Sequence, residues 1–509
     1  MTLAIVRRVR PFAPLLALLL ITGGAGGRTT APGAQGEGEA EAIKAVERAL
    51  RAAELDAERC IEALDGLGGC DSAAVAKLLF DSFLAVEARA ASAEKTAHAE
   101  LSKGDLSDGQ IVERRATIDP IRRVQARLLD RITLLRTPEA LLWLIERALG
   151  EEKCGLSVKL AAVRTAGFLG EPLVKLLQQE ATALKKQDDW VTLLVAVQQL
   201  GTAAKPLAPQ LLPLVDHAEA TLREEAALAL AKLAVPAAIE PLVRRLEKES
   251  GRTQVKIAAA LEILTRQKLG ASPNAWKSWF AAEGLRYTSG QVELGGGEPA
   301  VQLQASGYFH GIPQDARTLI YVIDVSGSMM VSMTDPKWKD GNQTQPIPAP
   351  PGEESRMEAS KRELIKALGE LPPATKFNII YFSNGADRWQ PKLVEASPDR
   401  VKKAQKWIAE LGPGGATNIH DAMESAFGLA GRGSTDKYYD STVDTVFLLT
   451  DGEPFLPSGR DNPERTLQLV RRLNPLKRVI VHTIGLGKGI DDNFLKRLAE
   501  ENRGVFVQR

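Results

Sequence analysis

The spacing of hydrophobic residues changes once along the chain, at about residue 318. Before that point, apolar residues recur three and four positions apart, as in "AIKAVERALRAAELDAERCIEAL" and "IRRVQARLLDRITLL", which is typical of amphipathic helices. After it, short β-branched runs such as "TLIYVID" and "DTVFLLTD" alternate with amphipathic stretches such as "MEASKRELIKALGEL". The pattern predicts an all-α N-terminal part and a C-terminal α/β part, with a doubly wound, mostly parallel sheet covered by helices on both faces.

One Ala/Leu-rich helical segment recurs within the N-terminal part. It begins at Val158, Val191, Leu222 and Val255, so the period is 31 to 33 residues. Such a period predicts stacked helix pairs, that is, an α-solenoid. The segment resembles short HEAT-like repeats, although these repeats have no invariant chemistry. An irregular helical bundle is the alternative.

The N-terminus has the pattern of an export signal. Arg7, Arg8 and Arg10 precede the apolar run "PFAPLLALLLIT", and small residues follow it. The run is shorter than the roughly 20 residues of a membrane-spanning helix, which favours a cleaved signal peptide over a retained anchor. We therefore expect an exported protein of the periplasm, cell envelope or extracellular space, with no membrane span after cleavage.

These patterns divide the chain into six predicted segments. They are a signal peptide (1–27), a linker (28–40), a helical region (41–149), HEAT-like repeats (150–284), a linker with short strands (285–317) and the α/β domain (318–509).

Composition excludes some classes of partner. The 509 residues include 65 Lys and Arg against 64 Asp and Glu, so no global charge favours nucleic acid or an anionic membrane. The three cysteines, Cys60, Cys70 and Cys154, are too few for a disulfide framework. They are either buried apolar residues, or Cys60 and Cys70 form a pair.

Polar side chains follow two predicted strands and begin one helix of the α/β domain. Asp324, Ser326 and Ser328 follow the first strand, Asp451 ends a second strand, and Thr417 lies near a helix start. In a parallel sheet, loops at the carboxyl ends of the strands lie together. Five oxygen donors suit a hard divalent cation, Mg²⁺ first, with Ca²⁺ or Mn²⁺ possible. The alternative is that these residues only form turns and helix caps.

The same residues carry a family resemblance. Residues 318–509 resemble the von Willebrand factor A domain, whose metal-ion-dependent adhesion site has the pattern Asp-x-Ser-x-Ser with a distant Thr and a distant Asp. The resemblance implies that the hydroxyls of Ser326, Ser328 and Thr417 contact the metal. It also implies that Asp324 and Asp451 act directly or through water. A protein partner would then present an Asp or Glu carboxylate to the metal.

Two features depart from the family pattern. A long, Pro-rich stretch at 331–355 should emerge beside the metal, either as a partner-contacting loop or lid or as an insertion without a role. The sequence ends at "GVFVQR", so we expect no final helix to transmit a signal and expect constitutive binding.

The motifs favour a binding protein over an enzyme. No phosphate-binding loop and no H-E-x-x-H zinc motif occurs in the sequence. We therefore expect an exported adhesion or scaffold protein, with a possible second partner on the helical repeats. A metal-dependent enzyme, or an accessory subunit of an envelope enzyme complex, is the first alternative. A purely structural role in an envelope assembly, with the metal only bracing three loops, is the second.

Overall fold

A computed structural model describes most of the chain. The described residues are 32–52, 55–101, 108–150, 154–297, 307–314, 316–334, 346–430, 443–452, 454–456, 459–460, 463–487 and 492–509. The predicted signal peptide (1–27) and the first residues of the predicted linker therefore lie outside them. Among the described residues, no helix has the length and apolar character needed to cross a bilayer.

The N-terminal region is helical, as its sequence period predicts. Its α-helices are α1 (Pro32–Leu50), α2 (Ala57–Asp65), α3 (Ala73–Leu101), α4 (Asp108–Thr133), α5 (Pro138–Gly150), α6 (Leu156–Val163), α7 (Glu171–Ala181), α8 (Gln187–Leu200), α9 (Ala208–Leu211), α10 (Ala220–Lys232), α11 (Ile239–Leu246), α12 (Gly251–Thr265) and α13 (Pro273–Thr288). The helices α6, α8, α10 and α12, which carry the repeated segment, pack side by side in that order. This serial stacking is the arrangement that a period of one helix pair predicts.

The first helix corrects one predicted boundary. Composition predicted a linker over residues 28–40, but α1 begins at Pro32. Pro is well accommodated in the first turn of a helix, and the Ala and Glu residues that follow are strong helix formers. Pro32 therefore begins a helix, and the glycines that follow it lie within the helix although they are poor helix formers.

The helical region ends in an aromatic cluster. Trp276 on α13 is fully buried, and its ring lies 5.4 Å from that of Trp279 in an edge-to-face arrangement. The two tryptophans close the last helix pair of the region. The three cysteines are free thiols, and the Cys60 thiol donates to the carbonyl oxygen of Ala49 over 3.5 Å.

The C-terminal region contains a central sheet with helices on both faces. The strands are β1 (Tyr308–Phe309), β2 (Ile312–Pro313), β3 (Thr318–Asp324), β4 (Lys376–Phe382), β5 (Ala386–Arg388), β6 (Val394–Glu395), β7 (Thr445–Thr450), β8 (Phe455–Leu456), β9 (Gly459–Arg460), β10 (Ile480–Gly485) and β11 (Phe506–Gln508). The helices are α14 (Arg356–Gly369), α15 (Pro398–Glu410), α16 (Ile419–Ala430), α17 (Pro463–Leu473) and α18 (Asn493–Glu501). The sheet order is β11-β10-β7-β3-β4-β5, and β6 also pairs with β4.

The pairing in this sheet is mostly parallel. The strands β11, β10, β7, β3 and β4 run parallel, whereas β5 and β6 are antiparallel to β4. The two remaining pairs, β1 with β2 and β8 with β9, are short antiparallel hairpins.

The central strand β3 is apolar on both faces because helices cover both. Ile320 and Val322 belong to the core beneath α16, α17 and α18. Leu319, Tyr321 and Ile323 belong to the opposite core, beneath α14 and α15. Alternation along a strand sends successive side chains to opposite faces, so a continuous apolar run fills both cores at once.

The helical region contacts the sheet at its amino end. Arg478, just before β10, donates to Glu224 on α10 over 2.8 Å, and both side chains are buried. Arg252 of α12 donates to the carbonyl oxygen of Val443, just before β7, over 3.2 Å. The helical region also packs on α17, whose first turn follows the loop after β7. There, Nε of Arg465 lies 2.9 Å from Oδ2 of Asp119 on α4.

Candidate metal centre

Three of the predicted site residues meet at the carboxyl edge of the sheet because β3 and β7 are parallel neighbours. Ser328 donates its hydroxyl hydrogen to Oδ1 of Asp451 over 2.8 Å. The hydroxyl oxygens of Ser326 and Ser328 lie 3.1 Å apart. Side-chain contacts thus join the loop after β3 to the loop after β7, as strand topology predicted.

Asp324 fixes the shape of the first loop. Its Oδ1 accepts a 2.7 Å hydrogen bond from the backbone N–H of Ser326, and its Oδ2 accepts one of 2.6 Å from the Thr450 hydroxyl. The chain is extended at Ser326 and then forms a 3₁₀ turn over Gly327–Met330. The carboxylate therefore holds the turn that presents Ser326 and Ser328, and it links this turn to the end of β7.

Thr417 lies in a loop whose backbone is hydrogen-bonded to the other two loops of the site. The N–H of Gly327 donates to the carbonyl oxygen of Gly415 over 2.9 Å. Thr417 and Phe455 exchange two backbone hydrogen bonds of 2.7 and 2.9 Å, which ties the third loop to the segment after Asp451. Thr417 is buried, and its hydroxyl has no hydrogen bond within the described part of the chain.

A glycine is required where this third loop turns. Gly415 has a φ of +83°, and a β-carbon there would lie 2.9 Å from Oδ1 of Asn384. That oxygen also accepts a hydrogen bond of 2.8 Å from the N–H of Ala416. Both the left-handed backbone and the close approach exclude a side chain, so Gly415 sets the path of the chain into Thr417.

The electrostatics of the site favour a bound positive charge. Asp324 and Asp451 are both buried, and Asp324 is fully enclosed. Burial, with a further contribution from the charge of Asp451, raises the pKa of Asp324 to about 7. Hydrogen bonds from Ser326 and Thr450 oppose that rise only in part. Two buried carboxyl groups and the neutral hydroxyls of Ser326 and Ser328 suit a hard divalent cation, which accepts oxygen ligands.

Sequence reasoning missed a basic residue at this site. Nη1 of Arg356 donates to Oδ2 of Asp451 over 2.7 Å, and both side chains are almost fully buried. Arg356 is the first residue of α14, just after the capping residue Ser355. A positive charge is unfavourable at a helix N-terminus. A basic residue at this position in the sequence therefore indicates that an acidic residue lies nearby in the fold.

The Pro-rich stretch lies beside the site, as predicted. Its ends are tied together by a bridge between Ser332 and Ser355, and the N–H of Ala349 donates to Met330 over 2.9 Å. Pro346 lies next to Gly327. A β-carbon added to Gly327 would be 3.6 Å from Cγ of Pro346. Residues 335–345 lie outside the described residues.

A second group of possible ligands lies on α16. His420, Asp421 and Glu424 place their ligand atoms within 4.8 Å of one another, and Nδ1 of His420 is 3.3 Å from Oδ1 of Asp421. These residues are partly buried and adjoin Thr417 in sequence. No second feature of the described structure points to an ion there.

Comparisons with known proteins identify the type of domain in the C-terminal region. The profile of the family described as von Willebrand factor type A domain matches residues 353–507. Human inter-alpha-trypsin inhibitor heavy chain H4 is 31% identical over 228 residues, covering 43% of this chain and 21% of that protein. Heavy chain H3 from Bos taurus is 27% identical over 214 residues, covering 41% and 21%. The chain thus spans about a fifth of the length of these relatives.

Solved structures with detectable similarity cover a similar share of the chain. A von Willebrand factor type A protein from Catenulispora acidiphila has a TM-score of 0.29 and 19% identity, covering 38% of each chain. The pilus adhesin SpaC from Lactobacillus rhamnosus GG has a TM-score of 0.26 and 15% identity, covering 38% of this chain and 28% of that one. The family profile and the relatives confirm the resemblance stated from the sequence.

Proposed function

We propose that the von Willebrand factor type A domain in the C-terminal region of this chain is a metal-dependent protein-binding module. In this proposal, a divalent cation, Mg²⁺ first, binds among Ser326, Ser328 and Thr417. The carboxylates of Asp324 and Asp451 support it. A partner protein contributes an Asp or Glu carboxylate to the same cation. The chain as a whole acts as an adhesion or scaffold protein rather than as an enzyme.

The observation that carries the proposal is the meeting of two loops from separate strands at one cluster of oxygen atoms. The Ser328 hydroxyl lies 2.8 Å from Oδ1 of Asp451 and 3.1 Å from the hydroxyl of Ser326. Turn formation alone does not require side chains of different loops to contact each other. A cation explains the cluster because hydroxyl and carboxylate oxygens are the ligands that Mg²⁺ and Ca²⁺ prefer.

The chemistry of the cluster favours a carboxylate as the partner group. Both oxygen atoms of Asp451 already accept hydrogen bonds, from Ser328 and from Arg356. Asp451 therefore suits a role through water, which leaves neutral hydroxyls to contact the cation. A cation with mainly neutral ligands keeps most of its charge, so an incoming carboxylate gains a strong charge-assisted contact.

Two exposed apolar side chains beside the cluster extend the proposed surface. Phe455, whose backbone pairs with Thr417, is 47% exposed. Ile347 is 55% exposed and follows Pro346, which lies against Gly327. Aromatic and aliphatic residues around a central polar contact are typical of protein interfaces. We infer that apolar residues flank the acidic residue of the partner.

The remaining parts of the chain fit the same role. The helical region holds the amino end of the sheet through Arg478 and Glu224, whereas the proposed metal site lies at the carboxyl ends of the strands. The stacked helices offer a second, broader surface for another partner. The basic and apolar N-terminal segment supports export to the envelope or beyond.

The test combines cation binding with capture of a partner. Mg²⁺ is titrated calorimetrically into the wild type, Asp451→Ala and a matched control, Asp399→Ala, which removes an exposed acid at the start of α15. Each protein is then immobilised and exposed to an envelope extract, with and without chelator. The proposal expects Mg²⁺ binding and chelator-sensitive capture by the wild type and the control alone.

A second arm tests the chemical group on the partner. Carbodiimide amidation of the extract converts carboxylates to amides and should abolish capture, whereas mock treatment should not. Capture that survives both chelator and amidation would contradict the proposal and favour a structural metal. Metal-dependent turnover of ester or peptide substrates by the wild type would contradict the assignment as a non-enzyme.

A further inference from the structure

The guanidinium of Arg356 is enclosed at the edge of the proposed metal centre. The side chain is 2% exposed. Its Nε is buried and has no hydrogen-bond partner among the described residues. The contact with Oδ2 of Asp451 therefore holds the guanidinium chiefly through charge.

The backbone near the end of β10 leaves the space for this group. Gly487 has a φ of +88°, and a β-carbon there would lie 2.6 Å from Nε of Arg356 and 2.9 Å from Nη2. Any other residue would therefore displace the guanidinium or strain the backbone. The N–H of Arg356 also donates to the carbonyl oxygen of Val331, in the chain that leaves the Ser328 turn, over 2.9 Å. The loops after β3, β7 and β10 thus meet at this one residue.

Arg356 changes the net charge of the centre. Asp324 and Asp451 contribute two negative charges when ionised, the three hydroxyls contribute none, and Arg356 adds one positive charge that it keeps at every physiological pH. Among these six side chains the net charge is therefore −1, and a bound dication brings it to +1. Without Arg356, the corresponding charges would be −2 and zero.

The geometry points to Arg356 as a resident counter-charge that lowers the affinity of the site for its cation and raises the affinity of the cation-loaded site for a carboxylate. The first effect follows from repulsion between Arg356 and the cation. The second follows from the positive net charge that remains after the cation binds. Both halves rest on the proposed function, the first on its cation and the second on its partner carboxylate.

The opposite signs of the two effects separate this role from a merely structural one. Loss of a structural side chain would loosen the loops and weaken both binding steps. Loss of a counter-charge should strengthen cation binding and weaken carboxylate binding. The size expected for each is roughly tenfold or more, the scale on which a unit charge within about 4–6 Å changes ionic equilibria in proteins.

The experiment uses the full chain, Mn²⁺ as the cation and acetate as the carboxylate. Mn²⁺ affinity is measured from the electron paramagnetic resonance signal of the free ion. Acetate affinity is measured from the fall in water-proton relaxation as acetate displaces water from bound Mn²⁺. The variants are Arg356→Gln, which removes the charge, and Arg356→Lys, which keeps it. The control is Arg362→Gln, which removes an exposed charge from the same helix.

Arg356→Gln should bind Mn²⁺ about tenfold more tightly than the wild type and, once loaded, acetate about tenfold more weakly. Arg356→Lys and Arg362→Gln should follow the wild type in both measurements. Mn²⁺ binding by Arg356→Gln that is equal to or weaker than wild type would overturn the inference. A loaded wild type that does not bind acetate would contradict the proposed function and the carboxylate half, while the Mn²⁺ comparison would still decide the cation half.

Thermal unfolding covers the case in which Arg356→Gln is only marginally folded without metal. The cation would then replace the missing counter-charge, so the unfolding midpoint should rise more steeply with Mn²⁺ concentration than it does in the wild type. An equal or shallower rise would overturn the inference.

Discussion

Ser328 and Asp451 are joined by a 2.8 Å hydrogen bond although they lie 123 residues apart in sequence. The bond unites the loop after β3 with the loop after β7, and both groups are ligands or supports in the proposed metal centre. The first prediction concerns this pair. Ser328→Ala should lower Mg²⁺ affinity by roughly tenfold to a hundredfold, because supporting hydrogen bonds and ligands at metal sites have effects of that order.

The control for this change is Ser397→Ala. Ser397 precedes α15 and makes no side-chain capping bond, so its loss should leave Mg²⁺ affinity unchanged in the same calorimetric titration. Equal Mg²⁺ affinity of Ser328→Ala and wild type would remove Ser328 from the site.

The second prediction is a pH dependence of metal binding. Because burial and the charge of Asp451 raise the pKa of Asp324 to about 7, a proton competes with the cation below that pH. Mg²⁺ affinity should rise about tenfold for each pH unit up to about 7 and then level off, as expected when binding releases one proton. Asp324→Asn should bind Mg²⁺ weakly and show no such slope.

The same carboxyl group should affect the stability of the metal-free protein. Its folded pKa is raised above the unfolded value of about 4, so the native state binds more protons between these values. The resulting stability should be present below about pH 4 and lost as the pH rises through about 7. Urea unfolding of wild type against Asp324→Asn isolates this contribution. A difference that grows in favour of the wild type with rising pH would contradict it.

The third prediction concerns the apolar rim. Phe455→Ser should reduce partner capture without changing Mg²⁺ affinity, because the side chain is exposed and only its backbone contacts Thr417. Val505→Ser is the matched control, since Val505 is 51% exposed and immediately precedes β11, the edge strand two strands away from β7. If both variants capture the partner as the wild type does, the bound surface does not include Phe455.

The fourth prediction concerns the junction between the two regions. Arg478→Met removes a buried partner of Glu224, which then keeps the Thr253 hydroxyl at 2.7 Å and Nε of Arg252 at 3.7 Å. Removing one partner of a buried ion pair costs about 3–5 kcal/mol, and the remaining contacts favour the lower value, about 3 kcal/mol of unfolding free energy. Urea unfolding measures this loss. Arg286→Gln, in an exposed pair with Glu283, should cost about 1 kcal/mol or less.

The sequence predicted, for physical reasons, the sheet and the placement of Asp324 and Asp451 at one edge of it. The run from Thr318 to Asp324 is apolar on both faces, and such a run is typical of a strand that is covered on both sides. Parallel pairing then fixes that Asp324 and Asp451 share one edge. These relationships depend on residue type and strand direction alone.

Other features depend on three-dimensional packing that the sequence does not encode locally. Arg356 follows a long insertion, so its distance along the chain gave no sign of its contact with Asp451. The pairing of Thr417 with Phe455 joins two loops of irregular backbone. At the N-terminus, Pro32 begins a helix that composition alone indicated as a linker.

The position of β3 has a mechanical consequence. This strand ends at the metal centre and pairs in parallel with β4 along its whole length, from Thr318 opposite Lys376 to Asp324 opposite Phe382, and with β7 on its other side. Tension applied at the cation would run along the strand axis and load both ladders in shear, so that their hydrogen bonds would have to rupture together. We expect that a bound ligand dissociates and binds again under mechanical force while the sheet stays folded.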